Sequence, residues 1–245
     1  MIKFISLCFA TSVSCAAFAQ SPKDTLFLAE AKKSSVDLYT SAIRGQAKLF
    51  NGSQYVRPEQ TSESHPYFLS DDWAFGTVDY DGEHFDDVPL LYDISSDKLV
   101  TEYYYNANEM ELIYSKLSRF TLAGHVFEKM QTEQFNNSLP QSGFYDILYA
   151  GPTRTIVRRQ KQIQENISSG KIEIEFEQKS HYFIFKDGIF HSVKSKGSVF
   201  KLLADQKTAL RQHLKKSSVY FKRDRDRALT LLTQYYDTLK TRQTP

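Results

Sequence analysis

The sequence predicts an α+β fold: a large, curved antiparallel β-meander, open like half of a barrel, with a short N-terminal helix and a C-terminal helical hairpin. Three observations lead to this prediction. Residues 67–193 consist of short aromatic and β-branched runs separated by turn residues, as in antiparallel sheets. Two Asp-Gly pairs in this region mark tight hairpin turns. After Val193 the apolar residues recur at the spacing of an α-helix.

The first nineteen residues have the composition of an export signal. Lys3 supplies a positive charge, residues 4–13 form a short apolar run, and Ala17 and Ala19 are the small residues that a signal peptidase requires. We therefore expect residues 1–19 to be a signal peptide, cleaved before Gln20. A membrane-spanning helix needs about 20 apolar residues, so we expect no transmembrane segment after cleavage. The predicted location is outside the cytoplasm: periplasmic, outer-membrane-associated or secreted.

Both cysteines, Cys8 and Cys15, lie in this predicted signal peptide, so the mature chain is expected to be cysteine-free. This excludes disulfide bonds, a thiol nucleophile and thiolate metal sites in the mature protein. A composition of 41% hydrophobic and 24% charged residues excludes a disordered chain, and the core must be stable by apolar burial alone.

The mature chain is expected to form one domain. Residues 20–65 supply an N-terminal helix and a loop, with helical apolar spacing over residues 34–43 and loop-forming residues over 51–65. Residues 66–245 supply the sheet and the C-terminal helical hairpin.

The first hairpin turn is predicted at Asp81-Gly82, because an Asp-Gly pair adopts the positive φ angles of a two-residue type I′ turn. This turn places Tyr80 opposite Glu83 and Asp79 opposite His84. One face of the hairpin is then apolar and the other polar. We expect the hairpin to be half buried.

The second hairpin turn is predicted at Asp187-Gly188 by the same argument. It places Phe185 opposite Phe190 and Ile184 opposite His191. Both faces of this hairpin are apolar, so we expect other elements to cover both sides.

The other elements follow from composition and spacing. Asp224 is a suitable N-cap for the second C-terminal helix, and residues 217–223 join the two helices. Further strands are predicted over residues 89–94, 99–105, 110–122, 126–130, 143–149, 155–162 and 172–178. The apolar positions are Val199, Leu202, Leu203, Leu210 and Leu214 in one helix, and Ala228, Leu231, Leu232, Tyr235 and Leu239 in the other.

Three segments carry a resemblance to a known family: residues 73–93 (WAFGTVDYDGEHFDDVPLLYD), residues 143–149, and the tail over residues 181–237. Together they resemble a family of exported bacterial envelope proteins whose function is uncharacterised. The resemblance implies a secreted or periplasmic protein of a Gram-negative envelope, and it supplies no catalytic residues. At the level of architecture, the predicted sheet is similar to the half-barrels of lipoprotein-carrier proteins, which bind acyl chains on a curved sheet.

Charge is segregated along the chain. Residues 59–112 contain fourteen Asp and Glu and one basic residue, Lys98, whereas residues 194–227 contain eleven Lys and Arg and three Asp. One interpretation is that the two segments lie together in the fold and cancel. The other is that the C-terminal helices present a basic surface to an anionic membrane or an acidic envelope partner. That predicted surface consists of Lys215, Lys216, Lys222 and Arg223.

Catalytic and metal sites are not predicted. The aspartates clustered over residues 71–87 lack the spacing of a calcium-binding loop, and no two histidines have the helical spacing of a zinc protease. Asp79 and His84 form a predicted pair, but no serine or cysteine in a recognised nucleophile turn accompanies them. We therefore predict no catalytic residues, no metal, no cofactor and no nucleic-acid partner. Dispersed carboxylates, as in glycosidases, remain an open alternative because sequence spacing does not reveal them.

Aromatic residues supply the remaining candidate site. If the concave face of the sheet is incompletely filled, its aromatic side chains would line a pocket for an apolar or lipid-like ligand. The predicted ligand-binding residues are Tyr103, Tyr105, Tyr145, Tyr182, Phe183 and Phe185. The favoured function is a non-enzymatic binding module for such a ligand or for a protein partner. The alternatives are a hydrolase with dispersed carboxylates and a structural subunit of an envelope complex.

Overall fold

The computed structural model describes residues 28, 30–35, 48–102, 108–168 and 171–243. The chain divides into two compact units, Met1–Arg44 and Gly45–Pro245. In the first unit, residues 28 and 30–35 are helical. The helix predicted over residues 34–43 overlaps this segment only at its start. The rest of that helix, the predicted signal peptide and both cysteines lie outside the described residues.

The second unit contains an eleven-stranded antiparallel sheet followed by helices, so the predicted α+β class is confirmed. The strands are β1 (Ser53–Gln54), β2 (Ala74–Tyr80), β3 (Glu83–Asp93), β4 (Lys98–Glu102), β5 (Glu109–Glu111), β6 (Leu117–Leu122), β7 (His125–Met130), β8 (Gly143–Tyr149), β9 (Thr155–Ser168), β10 (Lys171–Lys186) and β11 (Ile189–Ser192). The helices are α1 (Lys196–Leu202), α2 (Lys207–Lys216) and α3 (Arg225–Gln243).

The sheet is open and has the strand order β1-β5-β4-β3-β2-β6-β7-β8-β9-β10-β11. Two meanders, β2 to β5 and β6 to β11, join where β6 pairs with β2. The two meanders therefore share one sheet rather than forming two layers.

Both predicted hairpin turns are confirmed. At the first, Asp81 and Gly82 have φ angles of 53° and 80°, and Tyr80 pairs with Glu83. At the second, Asp187 and Gly188 have φ angles of 53° and 83°. The second hairpin also has the predicted register, with Phe185 opposite Phe190 and Ile184 opposite His191.

The strand predicted over residues 110–122 is wrong, because a turn divides it into β5 and β6. Lys116 N donates a hydrogen bond to Ile113 O at 3.0 Å and closes the turn. The chain must leave β5 at one side of the first meander and return beside β2, which a continuous strand cannot do. Leu112 and Leu117, on either side of the turn, are both buried. The apolar pattern therefore continues through the turn and hides it from sequence analysis.

The first predicted C-terminal helix is also divided. A 3-10 turn, Ala204–Gln206, separates α1 from α2, and Leu203 before it has the non-helical angles φ −99° and ψ 41°. In this turn Asp205 accepts a hydrogen bond from the Tyr236 hydroxyl of α3 at 3.0 Å. Leu203 remains fully buried, so its apolar character does not reveal the break.

Strands β9 and β10 are longer than predicted. The strand predicted over residues 155–162 continues to Ser168, and the strand predicted over 172–178 merges with the second hairpin into one strand of 16 residues. Hydrogen-bonded pairing links the two strands along almost their whole length.

The sheet curls so that strands far apart in its order come into contact. Lys161 N on β9 donates a hydrogen bond to Ile94 O, just after β3, at 3.1 Å. The Arg158 guanidinium on β9 likewise pairs with Asp97 at 2.9 Å. Inside the curl, the Tyr92 ring lies 6.4 Å from the Phe144 ring. The curved sheet that the sequence predicts is therefore present, and aromatic side chains fill its interior.

The C-terminal helices cover one face of the second meander, as predicted from the apolar second hairpin. Tyr182, Ile184 and Val193 of this hairpin region share a buried cluster with the apolar faces of α1, α2 and α3. Asp224 caps α3, since its Oδ1 accepts a hydrogen bond from Arg227 N at 3.1 Å. Among the described residues, no helix is both long enough and apolar enough to cross a bilayer.

We expect Gly76→Ala to destabilise the protein by about 3 kcal/mol, the upper end of the cost of overpacking a core. A Cβ at Gly76 would lie 1.9 Å from the backbone oxygen of Thr121, at the junction between the meanders. Urea unfolding followed by circular dichroism measures the change.

The matched control is Gly197→Ala, because a Cβ there meets only Ser195 Oγ, at 3.5 Å. This variant should be neutral or stabilised by up to about 1 kcal/mol, since alanine favours helix formation. Equal effects at the two positions would contradict the close approach of β2 and β6 at Gly76.

Candidate anion-binding cleft

A cleft of about 640 Å³ lies between the start of α1 and the loop that joins α2 to α3. One wall is formed by residues 194–197, which follow β11. The other wall is formed by residues 220–223 and Arg225. The two walls are brought together by folding, because about 25 residues separate them in the sequence.

Five cationic side chains line the cleft, and none of its lining residues is acidic. Four of the cations are exposed and the fifth, Arg225, is partly buried. Within the described part of the chain, none of the five forms an ion pair with a carboxylate. Their positive charge therefore remains available to a ligand. The five are Lys194, Lys196, Lys222, Arg223 and Arg225.

The three acidic residues of the basic segment form no ion pair with the cations of the cleft in the described part of the chain. Asp205 pairs with Lys240 of α3 at 2.8 Å. Burial acts against ionisation of Asp205, but hydrogen bonds from Lys240 and Tyr236 lower the pKa of its carboxyl below the usual value. Asp224 caps α3, and Asp226 points to the sheet, where it contacts Arg159. Each carboxylate thus has a partner outside the cleft.

The cleft also has an aromatic wall. Phe221 is buried, and the Arg225 guanidinium lies over its ring at 5.7 Å. Tyr220, the preceding residue, is 70% exposed, and the Arg223 guanidinium lies 5.6 Å from its ring. The Tyr220 carbonyl accepts hydrogen bonds from the backbone N–H groups of Arg223 and Asp224, both at 3.0 Å. This turn fixes the backbone from which the aromatic and cationic side chains project.

A buried ion network holds the start of α3 against the sheet. The Arg159 guanidinium on β9 donates to Asp146 on β8 at 2.6 Å and to Asp226 on α3 at 2.5 Å. Asp146 also contacts the His125 ring on β7 at 2.9 Å. The Tyr182 hydroxyl on β10 donates to Asp226 at 2.9 Å. Four strands and the first turn of α3 therefore meet at Arg159.

The far end of α3 is fixed as well. Asp237 is buried and accepts hydrogen bonds from the backbone N–H and the hydroxyl of Thr153, at 2.9 and 2.5 Å. Midway along the helix, the Thr233 hydroxyl accepts a hydrogen bond from Thr155 at 3.1 Å. Because α3 is anchored at three points, the loop that precedes it has a defined position over the cleft.

The structure places the predicted basic residues at two locations. Lys222 and Arg223 line the cleft, whereas Lys215 and Lys216 lie in the last turn of α2, where cations favour the helix C-terminus. Sequence analysis missed Lys194, Lys196 and Arg225 as members of the site. The run Lys194-Ser-Lys196-Gly before an apolar helix is a weak signal for them, but nothing in the sequence shows which loop it faces.

The predicted ligand-binding aromatics do not form one surface. Tyr145 and Phe183 pack on each other in a buried cluster, with ring centroids 6.0 Å apart, and Phe185 packs beside Phe190 in the same cluster. Tyr182 lies on the opposite face of the sheet, beneath the helices. Burial, and after it the nearby Asp226 carboxylate, raises the pKa of its hydroxyl. Tyr103 and Tyr105 lie outside the described residues.

A second cavity, of about 500 Å³, surrounds Asp93 and Lys161. The buried Asp93 carboxylate accepts a hydrogen bond from the Tyr55 hydroxyl at 2.9 Å. It also accepts hydrogen bonds from the hydroxyl and N–H groups of Ser95 and Ser96 at 2.6 to 3.1 Å. These residues form the turn between β3 and β4, so the turn itself explains the buried carboxylate. Burial lowers the pKa of Lys161, whose ammonium donates to the His65 carbonyl at 2.6 Å.

The acidic segment, residues 59–112, forms ion pairs with cations outside the C-terminal helices. Lys98 pairs with Glu111 at 2.6 Å, and Lys116 pairs with Asp81 at 3.0 Å. In the part of the chain that the structure describes, no ion pair joins residues 59–112 to residues 194–227. Direct pairing therefore does not cancel the two segments. Among these same described residues, no group of three or more His, Cys, Asp or Glu is arranged to hold a metal ion.

The predicted pair of Asp79 and His84 is present on the exposed polar face of the first hairpin. The pKa of the His84 imidazole is raised above the usual value, chiefly by its hydrogen bond to Asp79. The charge of that carboxylate and the contact with Asp86 act in the same direction. The pair lies on an exposed hairpin face, consistent with a surface contact.

Comparisons with protein-family models, with curated proteins and with solved structures found no match.

We expect Arg159→Met to destabilise the protein by about 3–5 kcal/mol, because it leaves the Asp146 carboxylate buried without its cation. Arg159 is 7% exposed and Asp146 only 1%. The control is Arg119→Met, which removes a cation that is 50% exposed and 4.0 Å from Glu128. Its effect should stay within about 0.5 kcal/mol. Urea unfolding of both variants measures the difference, and similar losses would refute the special role of Arg159.

We expect the His84 imidazole to titrate above the usual histidine pKa, and Asp79→Asn to lower that pKa. Because folding raises this pKa, the stabilisation from the pair is present below the pKa of the unfolded chain. It is lost as pH rises through the folded value. NMR titration of the imidazole protons tests this. Asp87→Asn removes an equal charge from β3, the strand that carries His84, at a position with no hydrogen bond to the imidazole among the described residues, and should have a much smaller effect.

Proposed function

We propose that this protein is a non-enzymatic binding module of the cell envelope that holds an anionic ligand in its basic cleft. The observation that carries the proposal is the convergence of five cations, without an acidic neighbour in the lining, on a cleft of about 640 Å³. Phosphate and carboxylate groups are the anions that Lys and Arg side chains bind in this way. The phosphate-bearing headgroups of lipids are a class of such ligand within an envelope.

The filled interior of the sheet favours a site on the outside of the molecule. Tyr145 and Phe183 of the predicted apolar lining are buried in side-chain packing, and the cavity that Phe183 borders is also lined by Arg158, Gln160 and His181. This favours binding at polar surface cavities. Of the two cavities described above, the basic cleft is lined by five cations and no carboxylate, whereas the cavity around Asp93 contains charges of both signs. This supports recognition by charge rather than by apolar enclosure.

The hydrogen bonding of the buried carboxylates supports a binding role over hydrolysis. Asp93 is saturated by the turn that it closes, Asp146 is bound by Arg159, and Asp237 is bound by Thr153. A general acid or base needs a carboxyl group that is free to exchange a proton with substrate. Each of these three instead stabilises an element of the fold.

Segregated charge supports rapid capture of an anion. In the order of the sheet, β6 and β7 separate the acidic strands β2 and β3 from β8 and β9, on which α3 packs. Such an arrangement orients the molecule in the field of an anionic ligand and raises the rate of encounter. The attraction should weaken as salt concentration rises.

We expect the double variant Lys222→Gln/Arg223→Gln to weaken binding of inorganic tripolyphosphate about tenfold. This corresponds to two exposed contacts of about 0.7 kcal/mol each. Isothermal titration calorimetry at low and high salt measures the affinity. The matched control, Lys201→Gln/Lys207→Gln, removes the same charge from exposed positions outside the cleft. If both variants lose affinity equally, binding depends on net charge and the cleft is not the site.

A further inference from the structure

Tyr220 is the most exposed aromatic side chain of the basic region. It is 70% exposed, although the residue after it, Phe221, is buried. The turn closed by the Tyr220 carbonyl keeps the two side chains in these different environments. Ser217 supports the loop from the other side, because its hydroxyl donates to Leu214 O at 2.8 Å. The ring is therefore held out into solvent by an ordered loop.

Exposed cations flank this ring along the chain and across the cleft. Lys222 and Arg223 follow it in the same turn, and Lys194 and Lys196 form the opposite wall of the cleft. Lys215 and Lys216 precede the loop at the end of α2 and are also exposed. None of these six cations has an ion-pair partner among the described residues.

An exposed tyrosine among unpaired lysine and arginine side chains matches the chemistry of a bilayer interface. Tyrosine rings favour the headgroup level, where the ring is shielded and the hydroxyl stays hydrated. Lysine and arginine side chains reach lipid phosphates while their methylene groups pack on apolar surface. A small soluble anion would engage the cations, whereas a bilayer would engage both the cations and the exposed ring.

We infer that the loop carrying Tyr220 and the basic cleft dock together on an anionic phospholipid bilayer, with the Tyr220 ring at the headgroup level. The inference rests on the proposed function, since it assigns a bilayer as the source of the anionic groups. Charge complementarity favours this occupant, because the cleft beside Tyr220 carries four exposed cations that are unpaired among the described residues, and two more lie at the end of α2, just before the loop. The acidic strands β2 and β3 are separated in the sheet order from the strands on which α3 packs. The acidic half of the molecule is repelled by the same surface, which sets the orientation of docking.

The chain offers a direct spectroscopic test because it contains a single tryptophan, Trp73. In the double variant Tyr220→Trp/Trp73→Phe, the introduced indole is the only one. With vesicles of phosphatidylcholine and phosphatidylglycerol in equal parts, its emission should shift to the blue and be quenched by brominated lipid. Neutral phosphatidylcholine vesicles and tripolyphosphate should produce neither effect. The parent protein, with Trp73 alone, is the control, and its emission should not be quenched.

A second measurement does not depend on replacing Trp73. In vesicle co-sedimentation, Tyr220→Ala should weaken binding to the anionic vesicles roughly fivefold, the loss of one interfacial ring. Tyr220→Phe should retain most of the binding. The apolar first nineteen residues, if still attached, would bind neutral vesicles too, so the neutral arm separates their contribution.

The outcomes separate this inference from the proposed function. Binding to anionic vesicles with quenching of the indole supports both. Loss of tripolyphosphate binding in the cleft variant, without any vesicle binding or quenching, keeps the cleft as an anion site and overturns docking on a bilayer. Absence of binding to tripolyphosphate and to vesicles alike overturns both.

Discussion

The Arg159 guanidinium holds the C-terminal helices on the sheet. It bridges Asp146 of β8 and Asp226 of α3, and the same cluster includes His125 of β7 and Tyr182 of β10. A cation that is buried among strands must be paired, since an isolated charge there would be strongly unfavourable. Because one of its two carboxylates belongs to the first turn of α3, the position of the helix is fixed relative to the sheet. The cleft beside that turn depends on this contact.

Aromatic packing determines which surfaces of the molecule remain open. The curled strands β3, β6, β7 and β8 enclose the rings of Tyr92, Phe120, Phe127 and Phe144, whose centroids lie 4.7 to 6.4 Å apart in the contacting pairs. A curved sheet can enclose a ligand only when its inward side chains are too small to meet. Here they are large and fill the interior. The proposed function accordingly places recognition on the outer surface, where charge distinguishes the cleft from other regions.

Charge separation persists in the folded molecule because ion pairs form locally. The ion pairs of the first meander are formed with cations outside the C-terminal helices, as Glu111 forms one with Lys98 and Asp97 forms one with Arg158. The acidic residues of the helical region pair with α3 or with the sheet, as Asp205 does with Lys240. Exposed ion pairs of this kind add little to the free energy of unfolding, so stability does not explain the separation of charge. The pattern instead leaves a surplus of positive charge at the cleft, which the proposed function uses.

The sequence alone determined both Asp-Gly hairpins with their register and the α3 cap at Asp224, because each depends on neighbours within a few residues. It also determined the fold class, because strand-like runs over residues 67–193 give way to helical spacing after Val193. Local chemistry also marked Lys222 and Arg223 as part of a basic surface. Tertiary structure decided where two predicted elements break. Residues 110–122 divide into two strands and residues 199–214 divide into α1 and α2, although buried leucines continue the apolar pattern through both breaks. Packing likewise brought Lys194 and Lys196 to the same cleft as Arg225. It also buried Tyr145 and Phe183 in the core. Such contacts join residues that are distant in the chain. The spacing of side chains along the sequence predicts local structure, but it does not predict which distant surfaces pack together.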